Sequence, residues 1–516
     1  MNDDIRVAGS GRREFLKQAA AAGSFLALGA GPALAQSQTP VRGGKLTIAA
    51  TGAAGTDSLD PRTISSIYHG MQAYLYGNCL TEMGEGNRLV GELAESWESS
   101  QGGRRQLFAL RKGVSFHNGR AMTAADVVWS INLHRGADSK SAAKVLLDPV
   151  TDVRADGNNV IFETAEVYAD LPYVLSDQHL IIVPANTTDF NVGVGTGPYV
   201  VQRYVPGQRI AGTRNPNYWK QGRAHVAECE LLAVGDTTAR MSALQSGEIQ
   251  MMERVDTRTA GLLERVPGIQ VLRSSTGAYR PFMMLCDNAP YNNADLRMAL
   301  KLAIDREDLL KRVFRGYGRV GNDHPIGNAD PFHATDIAQR TYDPEQARSL
   351  YRRSGHSGPL MLSFSDVAFA EAPDAATVFK EHASRAGINI ELVREPNDGY
   401  WNNVWRKKPF CAAAWGGRPT AGIMLATAFK AGATFNDSNW NSPEFDAALA
   451  QARAELNDQK RRELYSRCQR LINTTGGCIN PIFADVLDGA RANVRGFFPG
   501  NYAMSGMRVV ERVWLT

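Results

Sequence analysis

Ser141-Ala-Ala-Lys144 puts a hydroxyl and an amine one helical turn apart, the spacing at which a lysine can take a serine's proton and prepare it for acyl transfer. The companions of that chemistry are missing, because Ser130-Ile-Asn132 precedes the serine and the chain has no Lys-Thr-Gly. A solvated helix face is the better account of the four residues, since a four-residue pattern often arises by chance. Gly193-Val-Gly195-Thr-Gly197 is rich in glycine, but Pro198 and a β-like run follow it. No helix N-terminus therefore waits there for a phosphate, and the segment is a turn. His69, His117, His134, His179, His225, His324, His333, His356 and His382 are dispersed, and none shows His-x-x-x-His spacing. With no Gly-x-Ser-x-Gly elbow and no Walker loop, no catalytic constellation emerges, and neither cofactor nor metal is expected.

The elements that would position any site alternate short β-like runs with amphipathic helices, the pattern of an α/β protein. Lys45 to Ala50 is an opening strand. Thr123 to Arg135 is a helix, with Thr123 as N-cap, Asp126 completing a capping box, and Val127, Val128 and Ile131 as the apolar face. Pro198 to Tyr204 and Gln208 to Arg214 form a hairpin around Pro206-Gly207. Asp236 caps a helix that ends at Gly247, and Asn293 to Phe314 carries apolar residues at helical spacing. Asp343-Pro344 opens a helix that stops at Gly355, and Ser442-Pro443 opens a helical stretch reaching about Ile472. The last strand is expected from Arg508 to Trp514. A seam of turn-like and polar residues lies near 267 to 280, where the chain could cross between lobes.

The 516 residues carry 57 Lys+Arg against 53 Asp+Glu, with the charge mixed along the chain, which removes the electrostatic case for nucleic acid or an anionic membrane. Residues 1–35 have the form of an export signal: Arg12-Arg13 with Phe15, Leu16 and Lys17 behind them, an Ala-rich stretch, and the ending Ala33-Leu34-Ala35. The paired arginines resemble a twin-arginine signal; a general secretory signal with two arginines is the alternative. The mature chain is expected in the periplasm, without a membrane span. Cys79, Cys229, Cys286, Cys411, Cys468 and Cys478 have no CxxC spacing and are expected as buried thiols, with a Cys468–Cys478 bridge left open.

Leu93-Ala-Glu-Ser-Trp97, Leu110-Arg-Lys-Gly-Val-Ser-Phe-His-Asn-Gly119 and Thr123-Ala-Ala-Asp-Val-Val-Trp-Ser130 occur in that order. Thr196-Gly-Pro-Tyr199, Asn215-Pro-Asn-Tyr-Trp219 and Leu296 to Arg306 follow. Together they resemble the family 5 extracellular solute-binding proteins, the dipeptide, oligopeptide and nickel receptors of ABC importers. The resemblance implies a two-lobed α/β periplasmic binding protein, class II-like, with an extra subdomain in the first lobe. Lobe I would span 36–270 with the subdomain at about 62–186, lobe II 271–485, and 486–516 would return to lobe I. It further implies a monomer that captures a short peptide or peptide-like solute between the lobes and hands it to the ABC permease without making or breaking a bond.

Ala414-Trp-Gly-Gly-Arg-Pro-Thr-Ala421 aligns with the family stretch in which peptide receptors place an aspartate for the peptide's ammonium group. Arg418 stands at that position here, and a guanidinium repels an ammonium and welcomes a carboxylate or a sugar hydroxyl. Arg418 is thus expected as a ligand clamp and Trp415 as a stacking wall, with a surface ion pair and a core tryptophan as their plain alternatives. Tyr279, Asn436, Asp437, Trp440 and Asp57 complete the candidate ligand-binding set. An opine, oligosaccharide or nickel-complex receptor of the same fold remains open, as does a sensory partner. A secreted serine hydrolase of the penicillin-recognising type, resting on Ser141 and Lys144, is the rival from another class.

Overall fold

Leu46 and Ile48 to Ala50 are fully buried in strand Lys45–Ala50, a nearly continuous apolar run of the kind that a strand covered on both faces requires. In the computed structural model, which describes residues 39–516, this strand lies inside a seven-stranded sheet. It pairs in parallel with Glu228–Ala233 on one side and Met251–Met252 on the other. The hairpin Tyr199–Val205 and Arg209–Arg214 extends one edge, and Val486–Arg491 with Ile269–Ser274 forms the other. The expected export signal, residues 1–35, falls outside the described residues.

The chain is a two-lobed α/β protein with an added body in its first lobe. The second lobe is built on a five-stranded sheet, ordered Ile390–Arg394, Leu360–Phe364, Phe410–Ala412, Phe282–Met284, Cys478–Ile479. The chain leaves the first sheet at Ser274, enters the second at Phe282, and returns from Ile482–Ala484 to Val486–Arg491. The added body is a four-stranded antiparallel sheet of Ala94–Ser100, Arg105–Leu110, Asn159–Thr164 and Val150–Asp156. Helix Ala124–Asn132 covers it, and its N-terminus carries the reciprocal Thr123–Asp126 capping box.

Local signals set most helix limits. Asp236 Oδ1 accepts from Ala239 N–H at 2.7 Å, and Gly247 ends that helix at φ +89°, where a side chain would be strained. The run from 293 to 314 is two helices, Ala294–Leu302 and Arg306–Arg312, because Asp305 accepts from Asp308 N–H and restarts the helix. Asn457 likewise divides the later stretch into Pro443–Ala454 and Asp458–Thr475.

The expected last strand is corrected. Val509–Arg512 is a helical turn, and only Trp514–Leu515 is a strand, paired with Val494–Arg495. Strand alternation would send Glu511 away from Arg508 and Arg512, whereas a helical turn gathers all three. They must be gathered, since each is at most 3% exposed and joined to other buried charges. Arg508 donates to both Glu92 oxygens at 2.6 and 2.8 Å, Arg512 to Glu82 at 2.6 Å, and Lys220 to Glu82 at 2.6 Å and Glu92 at 2.9 Å. All six cysteines are free thiols, which removes the Cys468–Cys478 bridge.

Candidate functional site

The carboxyl ends of parallel strands are where α/β sheets open onto ligands, because loops diverge there. Thr51 and Gly52 follow strand Lys45–Ala50, and Glu253 and Arg254 follow Met251–Met252. All four line one cavity of about 870 Å³. Ser65 to Ile67, Tyr502 and Met507 continue the first-lobe wall, and Ala142, Val145, Leu146 and Asp177 to His179 close it from the segments around the four-stranded sheet. Arg418, Pro419, Ile423, Thr427 and Phe435 face them from the second lobe.

The wall's charges are largely matched. Glu253, 1% exposed, accepts from Thr51 N–H and Oγ1 at 3.4 Å each and meets the Arg254 guanidinium at 3.3 Å. Asp177 Oδ1 lies 2.5 Å from His179 Nδ1, and His179 Nε2 is 2.9 Å from Ile64 O. Burial disfavours the charged imidazole, but the bond to Asp177 wins and raises its pKa. Arg254 is held in the left-handed region at φ +58°. Its N–H donates to Asp488 Oδ1 at 3.2 Å, and Asp488 Oδ2 accepts from Met504 N–H at 2.7 Å, so one buried carboxyl group anchors the loop under Arg254 and the turn between Tyr502 and Met507.

Of the seven residues singled out from sequence, Arg418 lies on this wall. It is exposed, stands 5.5 Å over the Trp415 ring, and donates weakly to Gly417 O at 3.3 Å. Trp415, 5% exposed, is stacked on Tyr279 at 6.2 Å and 5°, and its Nε1 donates to Asp437 Oδ2 at 2.8 Å. Trp405 Nε1 donates to the same oxygen at 3.2 Å, and burial pushes Asp437 up to about 6. Asn436 bonds the carbonyl of Trp440 at 2.8 Å, and the Trp440 ring packs on Phe445. Trp415 thus lies beneath Arg418 with Tyr279 and Asp437 backing it, while Asn436 and Trp440 are buried in the surrounding core. Asp57 sits apart, bonded to Ala54 N–H and 2.8 Å from His69 Nε2. Glu253, Arg254, Asp177, His179, Val145 and Phe435 carry no local sequence signal and were not singled out.

Ser141 and Lys144 do not meet. Lys144 Nζ donates to Ala137 O at 2.8 Å, while Ser141 Oγ lies 2.6 Å from His134 Nδ1 and accepts from Ala143 N–H. Among the described residues no group of three or more His, Cys, Asp or Glu could hold a metal ion, and no helix is long and apolar enough to cross a membrane.

The model of the bacterial extracellular solute-binding proteins, family 5 Middle, matches residues 88–437. Heme-binding protein A of Haemophilus influenzae is 26% identical over 442 residues, covering 77% of this chain and 79% of that protein. The glutathione-binding protein GsiB of Pectobacterium atrosepticum is 24% identical over 464 residues, covering 85% and 89%. The structure of HbpA2 from Haemophilus parasuis superposes with a TM-score of 0.80 at 20% identity, over 92% of this chain and 100% of that one.

Proposed function

The chain belongs to the bacterial extracellular solute-binding proteins of family 5, and from that membership we propose that it is the periplasmic receptor of an ABC importer, capturing a short peptide or peptide-like solute between its lobes for delivery to the permease. The observation that carries this is the cavity of about 870 Å³ whose walls come from both lobes, with Arg418 exposed on one of them. A ligand that touches both walls only when they approach stabilises the closed form by its differential affinity, which is all that the mechanism requires. No bond need change. Relatives named for heme and for glutathione share this architecture, so membership defines the trap and leaves its cargo to the wall chemistry.

Native mass spectrometry of the mature protein should detect a co-purified small solute that is released unaltered on denaturation. Calorimetry against peptides, opines, sugars and nickel chelates should then find a binder, and indifference to the whole panel would overturn the receptor assignment. An opine-like solute is the second reading, favoured by Arg418 in place of a carboxylate. The hydrolase alternative requires a nucleophile, and the wild type and Ser141→Ala should show equal, background turnover of a chromogenic ester.

A further inference from the structure

Three cationic side chains line the cavity, Arg254, His179 and Arg418. Arg254 faces Glu253 and His179 faces Asp177. Arg418 has no carboxylate partner among the described residues; its contacts are backbone carbonyls of its own loop and the Trp415 ring. Both carboxylates on the wall therefore already have a cation, and no unpaired carboxylate remains there for an ammonium group. One positive charge is left over.

The surroundings of that charge are apolar. Val145 is 68% exposed and Phe435 49%, two of the few large hydrophobic side chains left open to solvent, and both line this cavity with Ile67 and Ile423. From Phe435 a file of aromatic rings continues, with Trp405 at 6.0 Å and Trp401, itself 40% exposed, 6.0 Å beyond. Aromatic faces and edges at such spacing suit another flat ring.

Resting on the receptor assignment above, we propose that the cargo is an amphipathic monoanion with an aromatic body and no free ammonium, its carboxylate seated on Arg418 and its body against Val145 and Phe435 toward Trp401. N-blocked aromatic peptides and aryl-bearing acids belong to this class; unmodified zwitterionic peptides, and peptide amides with a free amine, do not. A carboxylate on Arg418 gains a charge-assisted, two-pronged bond. An ammonium there meets like charge and finds no free carboxylate to offset it.

The test uses the mature protein and calorimetry with three probes: N-acetyl-phenylalanyl-phenylalanine, phenylalanyl-phenylalanine amide and N-acetyl-alanyl-alanine. The first should bind at least about tenfold more tightly than either of the others. Arg418→Gln and Phe435→Ala should each weaken it by about tenfold or more. Both side chains are exposed, so melting temperatures should stay at the wild-type value and certify the fold. Equal or tighter binding of the amide, or an undiminished affinity in Arg418→Gln, overturns the assignment of cargo class. If other solutes of the broad panel bind while the acetylated acid does not, the cargo class falls and the receptor stands. If nothing on the panel binds, both fall.

Discussion

Asp170→Ala removes one half of a buried clasp between the bodies that border the cavity. Asp170 and Arg461 are 1% and 4% exposed and form an ion pair, and Thr420 Oγ1 donates to Asp170 Oδ2 at 3.0 Å. Arg461 lies on helix Asp458–Thr475 and Thr420 caps helix Ala421–Ala428, both in the second lobe, while Asp170 precedes the short helix Leu171–Val174 beside the four-stranded sheet. Burial opposes the charge on Arg461, yet Asp170 more than offsets it and holds the guanidinium pKa above its ordinary value. Removing the partner strands a buried cation, a loss of about 3 to 5 kcal/mol. If the lobes part around this contact, the open form rehydrates Arg461 and escapes the loss, so the whole penalty falls on closure. At 1.4 kcal/mol per decade the closed population then drops by roughly 100-fold or more, and apparent affinity with it. Calorimetry should show that weakening in Asp170→Ala, with the ligand-free melting temperature little changed. The double variant Asp170→Ala/Arg461→Leu, which leaves no stranded charge, should recover most of the affinity. Binding within threefold of wild type in the single variant, or no recovery in the double, would refute the clasp.

Gly422→Ala tests the same contact sterically: its Cβ would lie 2.5 Å from Asp170 Oδ2 across it, while also crowding Tyr465 Oη within the second lobe, so calorimetric affinity should fall at least about tenfold and the ligand-free melting temperature should report the crowding at Tyr465 separately. Burial raises Asp488 to about 7 against two backbone N–H donors that lower it. Its folded form thus holds a proton that the unfolded chain releases near pH 4, so its contribution favours folding below that and is lost as pH rises toward 7. Urea unfolding at pH 4.5 and 7.5 should show wild type losing more stability with rising pH than Asp488→Asn, by at most about 4 kcal/mol, and parallel profiles would contradict this. Thiol titration with a chromogenic disulfide should count six cysteines in the denatured protein, and reductant should leave the melting temperature unmoved.

Helix starts were legible because their chemistry closes within a few residues. The Thr123–Asp126 box, Asp236 with Gly247, and Asp343-Pro344 satisfy or delete exposed N–H groups using neighbours in the chain. The breaks at Asp305 and Asn457 carried the same capping residues, but apolar spacing runs on through both and hides them. The C-terminal turn could not be read locally, since Arg508 finds Glu92 across 416 positions. A strand and a helical turn are equally compatible with Val509, Val510 and Val513 until that partner is present.

At the site, Arg418 stood out because one residue departs from an expected motif, and that is a one-dimensional observation. Its lack of a carboxylate partner is not. Val145, Asp177, Glu253 and Phe435 come from four distant segments, and only chain packing makes them one wall. The amino-acid order thus determined most helix starts, the family and one unusual arginine, because capping, periodicity and motif order act over short stretches. The tertiary structure alone decided which charges are already matched, which aromatic faces stay open, and hence what the cavity can hold, because matching and exposure are properties of side chains hundreds of residues apart brought within a few ångströms.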